Sequence, residues 1–179
     1  MKLKEKKYSR TKIYNGRSLN FFVDKVLLPN KKVATREYTE HPGAVTVLPF
    51  IDEKNIVLVR QYRYPVRKIT YELPAGKLSK KESLKKCVQR ELIEETGFMA
   101  SKIKKLISFW PTPAFSTEVL HIFSATGLKP VKSSPDEDEF LEKTIIPFET
   151  ALKWIKNGKI KDSKSIIGIL FWKMFNEGM

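Results

Sequence analysis

The chain has 179 residues, of which 41% are hydrophobic and 30% charged, a composition typical of one soluble globular domain. Its single cysteine, Cys87, excludes an internal disulfide and a metal site built from cysteines, and no apolar run is long enough to span a membrane. No terminal segment has the pattern of a signal peptide, so a cytoplasmic protein with no membrane partner is expected.

The formal net charge of +14 has two explanations. One is an anionic partner such as a nucleotide, a nucleic acid or a membrane surface. The other is a lysine-coated, solvated surface. The lysines occur in nearly every segment without clustering around aromatic residues, which favours the second explanation. Nucleic acid is therefore not the expected partner.

Residues 1–42 predict a small antiparallel sheet. The strands TKIY, SLNFFVDKVLL and KVATREYT are separated by turns at Asn15-Gly16 and Pro29-Asn30. Asn-Gly between two apolar-rich runs is typical of a two-residue hairpin turn, in which both positions need positive φ. A sheet of this size is not stable alone. We expect it to dock on the main domain or on a second subunit.

Residues 43–179 predict a main domain in which strands and helices mix, hence an α/β or α+β fold. The strands AVTVLPF, NIVLVRQY and ITYELPA precede a first helix, and KLISFW, EVLHIFSA and KTIIPF follow it. The polar stretch from Lys132 to Glu139 predicts a loop. FETALKWIKNG and SKSIIGILFWKMFNEG predict two further helices, the second capped by Ser163.

The first helix lies within GKLSKKESLKKCVQRELIEETGF, residues 76–98. Ser79 and Glu82 have the spacing of a capping box, and Gly97 stands where a left-handed residue would end the helix. At about 100° per residue, an apolar stripe is formed by Leu84, Val88 and Leu92.

The glutamates of this helix are on an unexpected side. Glu91 and Glu95 point along the apolar stripe and Glu94 lies beside them, whereas a surface helix would place its acids opposite the stripe. Burying a carboxylate costs on the order of several kcal/mol of desolvation free energy, unless a cation neutralises it. Clustered oxygens without histidine or cysteine suit Mg²⁺ or Mn²⁺. The alternative is an inward ion-pair network that includes Arg90.

The segment resembles the Nudix box, a 23-residue pattern whose fixed positions are met by Gly76, Glu82, Arg90, Glu91, Leu92, Glu94, Glu95, Gly97 and Phe98. The resemblance implies an α/β/α sandwich with a mixed sheet. It also implies a divalent cation, Mg²⁺ with Mn²⁺ as the alternative. The implied metal ligands are Glu91, Glu95 and the backbone carbonyl of Ala75, with Glu94 as an outer or additional ligand.

The flanking segments HPGAVTVLPF, VRQYRYPV, YELPAGK and WPTPAFSTE are similar to the ADP-ribose pyrophosphatase branch of the family. Typical members have glycine after the proline of the last segment, where this chain has Ala114. The resemblance implies a homodimer that hydrolyses ADP-ribose to AMP and ribose 5-phosphate. The implied substrate contacts are Arg36, Arg63, Lys77, Pro113 and Glu118. For the two arginines the alternative is a structural ion pair.

In this branch the general base comes from a loop outside the box. Glu137 matches the base and Glu139 a second catalytic residue and a further metal contact, in an acidic run that could also be a solvated loop. Phe21, Phe22 and Tyr38 are available to stack on adenine. The alternative functions are a broader nucleoside-diphosphate-sugar pyrophosphatase and a Nudix-fold regulator that binds RNA or nucleotides.

Overall fold

The computed structural model describes residues 3–17, 19–132 and 140–176, which form two compact units. The first unit contains the described residues up to Gly43 together with Trp110–Val119. The second contains Ala44–Phe109 and the described residues from Leu120 onward. The sequence pattern does not reveal that Trp110–Val119 belongs with the N-terminal strands, because this segment is far from them along the chain.

The first unit is a three-stranded antiparallel sheet in the order β1-β2-β3, formed by β1 (Lys6–Asn15), β2 (Asn20–Leu27) and β3 (Val33–Glu40). The predicted hairpin exists, but its two-residue turn does not. The connection runs from Gly16 to Leu19, where the Gly16 N–H donates to the Leu19 carbonyl at 2.9 Å. The φ of Gly16 is not in the left-handed region, because this longer loop does not require it.

The second unit contains seven strands and three α-helices among its described residues. The strands are β4 (Ala44–Pro49), β5 (Asn55–Arg63), β6 (Lys68–Glu72), β7 (Ala75–Lys77), β8 (Phe98–Phe109), β9 (Leu120–Pro130) and β10 (Leu141–Pro147). The helices are α1 (Leu84–Thr96), α2 (Phe148–Lys156) and α3 (Ser163–Asn176).

The strands form two sheets, antiparallel β10-β5-β6 and mixed β7-β4-β9-β8, in which β4 and β9 are parallel. Side chains of β4 alternate between two cores: Val45 and Val47 pack with residues of α1, whereas Leu48 packs with residues of α2 and α3. The helices therefore cover both faces. The predicted α/β/α sandwich with a mixed sheet is confirmed.

The start of α1 differs from the prediction. Ser83, rather than Ser79, is its N-cap and accepts a hydrogen bond from the Lys86 N–H at 3.4 Å. Ser79 and Glu82 instead close a turn before the helix, because the left-handed φ of 64° at Lys81 interrupts it. The predicted end is confirmed, since Gly97 has φ of 67° and donates to the Ile93 carbonyl.

The start of α3 also differs by one residue from the prediction. Asp162, rather than Ser163, accepts the hydrogen bond of the Ser165 N–H at 3.0 Å, as an N-cap does. Across the described residues, none of the helices combines the length and the apolarity that crossing a membrane requires.

Candidate active site

The inward acids of α1 lie at the backbone of β7. Glu91 and Glu95 are buried, with 7% and 8% of their surface exposed, as the helical period predicts. The Ala75 N–H donates to Glu95 Oε2 at 3.1 Å. A Cβ atom built on Gly76 would lie 1.8 Å from Glu91 Oε1. Both carboxylates therefore meet Ala75–Gly76, and only glycine permits the close approach of Glu91.

Arg90 connects the acidic residues around this backbone. Its Nε and Nη2 donate to Glu82 at 2.9 and 3.0 Å, and its Nη1 donates to Glu91 at 2.6 Å and to Glu94 at 2.8 Å. The hydrogen bonds from Arg90 lower the pKa of Glu82 to about 2. Nη2 also donates to the Lys77 carbonyl at 3.2 Å. The ion-pair network that the sequence left open is thus present, and it holds two of the predicted metal ligands.

The residues fit a hard divalent cation by the chemistry of their donors. The two buried side chains Glu91 and Glu95 offer carboxylate oxygens, the donors that Mg²⁺ and Mn²⁺ prefer. Among the described residues no three His, Cys, Asp or Glu side chains are already arranged around one point as a metal site. The backbone carbonyl of Ala75 as a further oxygen ligand stays a prediction.

Cys87, on the same helix, is not a nucleophile. It is fully buried, and its Sγ contacts the Lys77 carbonyl at 3.4 Å. Burial raises the pKa of the thiol to about 12. A thiol with such a pKa does not form a reactive thiolate near neutral pH.

Arg63 is paired with a buried acid. Its Nε and Nη2 donate to the two oxygens of Glu72 at 2.8 and 2.7 Å. Burial acts to raise the pKa of Glu72, but hydrogen bonds from Arg63, Lys164 and Thr70 prevail and lower it to about 2. Two of its donor nitrogens are therefore occupied by Glu72, as the structural alternative predicted. A substrate contact by Arg63 stays a prediction and would have to use Nη1.

The same arginine lines a cavity of about 610 Å³ in the second unit. Lys68, Lys161 and Lys164 also line it, and Glu72 and Asp162 are its acidic members. Cationic side chains outnumber acids around this space, so it favours anionic groups.

Sequence analysis missed the residues that surround Glu72. Lys164 Nζ lies 2.5 Å from Glu72 Oε2, although the two residues are 92 positions apart. An available signal was the acid itself, which interrupts the otherwise apolar strand ITYELPA. A buried acid at such a position needs a cation, but the sequence does not say which one.

Three predicted substrate contacts belong to the first unit. Arg36 pairs with Glu5, its Nε donating at 3.0 Å, as the structural alternative predicted. Pro113 and Glu118 lie on the segment that bridges to β3, where the Thr39 N–H donates to the Phe115 carbonyl at 2.9 Å. Their role in substrate binding stays a prediction, as does that of the exposed Lys77 in the second unit.

Two predictions remain: the aromatic residue that stacks on adenine and the general base. Phe22 is only 4% exposed and stacks on Tyr38, so it is not accessible to adenine. Phe21 and Tyr38 are half-buried. Glu137 and Glu139, the predicted base and its neighbour, lie outside the described residues.

The sandwich and the buried Glu91–Glu95 pair define the class of protein. The chain belongs to the Nudix family, since the NUDIX domain model matches residues 40–166. It is similar to the ADP-ribose pyrophosphatase of Bacillus subtilis (strain 168), with 38% identity over 96% of this chain and 94% of that protein.

Two other similarities complete the comparison. A protein of Bacillus methanolicus named methanol dehydrogenase activator is 40% identical over 97% of this chain and 95% of its own length. The crystal structure of an ADP compounds hydrolase shares the fold, with a TM-score of 0.87 and 19% identity over 98% of this chain and 96% of that one.

Proposed function

We propose that this protein hydrolyses the diphosphate of ADP-ribose to AMP and ribose 5-phosphate with a divalent cation. The observation that carries the proposal is the pair of buried carboxylates, Glu91 and Glu95, at the backbone of Ala75–Gly76. The substrate is supported by 38% identity, over nearly the whole chain, to a relative named ADP-ribose pyrophosphatase.

Glu91, Glu95 and the Ala75 carbonyl would hold the cation, Mg²⁺ or alternatively Mn²⁺, with Glu94 as an additional ligand. When bound, such a cation offsets negative charge on the diphosphate and lowers the pKa of water. Arg90 orients the site, since its Nη1 holds Glu91 and Glu94 while Glu82 fixes the rest of the guanidinium. Glu82 therefore acts through Arg90 rather than on the substrate.

Turnover of a nucleotide panel tests this function. Purified protein is assayed with ADP-ribose and other nucleoside-diphosphate sugars, with Mg²⁺, with Mn²⁺ and with EDTA. The proposal expects the highest kcat/KM for ADP-ribose and no turnover in EDTA. Equal kcat/KM across several sugars would support the broader pyrophosphatase instead.

A second candidate is a regulatory role, favoured by 40% identity to the relative named methanol dehydrogenase activator. The test is the rate of an alcohol dehydrogenase with added wild-type protein or with Glu95→Gln. Activation by both proteins, together with no hydrolysis of any nucleotide by the wild type, would support a purely regulatory function. Binding to RNA in a salt titration would support the nucleic-acid alternative.

Glu137 is proposed as the general base, with Glu139 assisting and contacting a metal. The box glutamates bind cation or Arg90 and are therefore poor proton acceptors, so a carboxylate from another segment is needed. Loss of a base costs about 10² to 10⁴ in rate, and Glu137→Gln should lower kcat within that range while KM changes little. Asp136→Asn is the matched control. If Glu139→Gln lowers kcat and Glu137→Gln does not, the assignment moves by two residues.

Arg36 is proposed to contact the substrate, as are Arg63, Lys77, Pro113 and Glu118. Its pair with Glu5 provides a control, because a purely structural role needs both partners. Arg36→Ala should raise KM for ADP-ribose, whereas Glu5→Gln should leave KM near the wild-type value. Equal effects of the two substitutions would assign Arg36 to the ion pair alone.

A homodimer is proposed as the assembly. Every residue of β1 is exposed, including Tyr8, Ile13 and Tyr14, which show 73%, 59% and 62% of their surface. Such apolar exposure on a small sheet favours docking on a partner subunit, where it would complete the substrate pocket. Deletion of residues 1–30 should lower stability and activity. A soluble, monomeric and fully active truncation in analytical ultracentrifugation would contradict this.

The cytoplasm is proposed as the compartment. The proposal is supported by the free, buried Cys87, since disulfide frameworks are typical of secreted proteins. Cell fractionation tests it, and recovery of the protein outside the cytosolic fraction would contradict it.

A further inference from the structure

The short segment Leu73–Pro74 passes from one sheet to the other. β6 ends at Glu72 in the β10-β5-β6 sheet, and β7 begins at Ala75 in the β7-β4-β9-β8 sheet. At the crossing the backbone leaves the strand ladder, so its polar groups need partners from elsewhere. Ala75, the proposed backbone ligand of the cation, comes directly after this crossing.

The N-terminal turn of α3 provides one of those partners. The Leu73 N–H donates to the Ser165 Oγ at 2.7 Å, and Ser165 is fully buried. The Ser165 hydroxyl in turn donates to Asp162 Oδ2 at 2.5 Å, which fixes its orientation. Asp162 Oδ1 also pairs with Lys164 at 2.9 Å, and Lys164 reaches Glu72.

Packing strengthens the same contact. Gly168, one turn further along α3, faces Leu73, and a Cβ atom built on Gly168 would lie 2.9 Å from Leu73 Cδ1. Leu73 has no exposed surface. The helix therefore contacts the crossing segment at three points: the Leu73 side chain, the Leu73 N–H and the neighbouring Glu72 carboxylate.

Two other elements hold the residues that follow. The Pro74 carbonyl accepts hydrogen bonds from the Val47 N–H and the Thr46 hydroxyl, both at 2.9 Å. The Ala75 N–H donates to Glu95. Each residue from Glu72 to Ala75 is thus held by at least one contact. α3 contributes to the first two, through Lys164 and Ser165, while Arg63 and Thr70 also hold Glu72.

We infer that Ser165 and Lys164 are positioning residues, which fix the Ala75 backbone in the orientation that binds the cation. The inference rests on the proposed metal-dependent function. Groups that orient a metal ligand without touching the metal commonly change metal affinity about 10- to 100-fold when they are removed. The C-terminal helix, remote from the Nudix box in sequence, would in this way control the metal site.

The test uses two measurements on the full-length protein without substrate. One is the dissociation constant of Mn²⁺, titrated as MnCl₂ and followed by electron paramagnetic resonance. The other is the exchange rate of the Ala75 amide proton in the metal-free protein, followed by NMR. For Ser165→Ala we expect about 10-fold weaker Mn²⁺ binding, or more, and faster exchange at Ala75.

Lys164→Met should change both values in the same direction, and Lys164→Arg should restore them in part because it keeps the charge. Ile146→Val, which removes one buried methylene from β10, is the control for general destabilisation. It should lower Tm and leave both values unchanged. Lys164→Met leaves Ser165 in place, so it keeps the test decisive if Ser165→Ala does not fold.

Wild-type Mn²⁺ affinity and wild-type exchange at Ala75 in the folded variants would overturn the positioning role. So would equal changes in Ile146→Val, which would indicate a loss of stability alone. Neither measurement involves ADP-ribose. A failure of the proposed substrate is therefore seen separately, as absence of ADP-ribose hydrolysis by a wild-type protein that binds Mn²⁺.

Discussion

Replacing Gly76 by alanine should disable the proposed metal site through a single atom. The new Cβ would lie 1.8 Å from Glu91 Oε1, 1.9 Å from its Cδ and 2.3 Å from its Oε2. A Cβ atom in a folded protein does not approach another heavy atom within 3.0 Å, so the carboxylate or the backbone must move by about 1.2 Å. Glu91 cannot yield easily, because it is buried and held by Arg90 at 2.6 Å.

The size of the effect follows from this displacement. Overpacking at a closely packed position costs about 1–3 kcal/mol, and we expect the upper part of that range. For a chain of this length the loss corresponds to a decrease in Tm of about 4–12 °C. A displacement of about 1 Å at a catalytic group can lower the rate about 100-fold, so kcat/KM should fall at least that far.

A double-mutant cycle in the metal-free protein isolates the cause. In a Glu91→Ala background the clashing carboxylate is absent, and the φ of Gly76 is outside the left-handed region, so alanine fits the backbone. There Gly76→Ala should change the free energy of unfolding by no more than about 0.5 kcal/mol. The assay is urea denaturation of the four proteins. An equal cost of Gly76→Ala in both backgrounds would refute the reasoning.

Three further predictions concern other titratable groups of the second unit. Glu95→Gln should abolish metal-dependent hydrolysis yet keep or raise the free energy of unfolding of the metal-free protein. The reason is that glutamine still accepts the hydrogen bond of the Ala75 N–H and removes a buried charge. Wild-type turnover by this variant at limiting Mg²⁺ would contradict the prediction. The pKa of Glu72 is lowered from 4.5 to about 2, so its contribution to stability is present above pH 4.5 and is lost as the pH falls towards 2. Glu72→Gln should therefore show a weaker pH dependence of unfolding in that window, and an unchanged dependence would exclude this contribution. Cys87, with its pKa raised to about 12, should react with a thiol reagent only after unfolding, and rapid labelling of the native protein would contradict its burial.

Local sequence patterns were sufficient for much of the site. The helical period places Glu91 and Glu95 on the buried side of α1, because each residue turns by about 100° and neither position depends on distant parts of the chain. Gly97 ends the helix as predicted, because the left-handed conformation at such a position favours glycine. The apolar run AVTVLPF likewise predicts a strand, and every residue of β4 is buried.

The features that the sequence did not reveal have a common physical origin in contacts or conformations that local patterns do not encode. α1 begins at Leu84 because Lys81 adopts a left-handed conformation, which a lysine rarely signals. Arg63 pairs with Glu72 across the β5–β6 hairpin, and Lys164 joins them from a distant helix. Trp110–Val119 joins the first unit through hydrogen bonds to β3 that only the folded chain creates.

The identity of the products is the most direct measurement of the proposed reaction. ADP-ribose is incubated with the wild-type protein in Mg²⁺, in EDTA, and with Glu95→Gln in Mg²⁺, and the products are separated by chromatography and assigned by ³¹P NMR. We predict AMP and ribose 5-phosphate in equal amounts from the wild type in Mg²⁺, and intact ADP-ribose in the other two samples. Intact ADP-ribose in all three samples, or the same products in EDTA or with Glu95→Gln, would contradict a metal-dependent ADP-ribose pyrophosphatase built on Glu91 and Glu95.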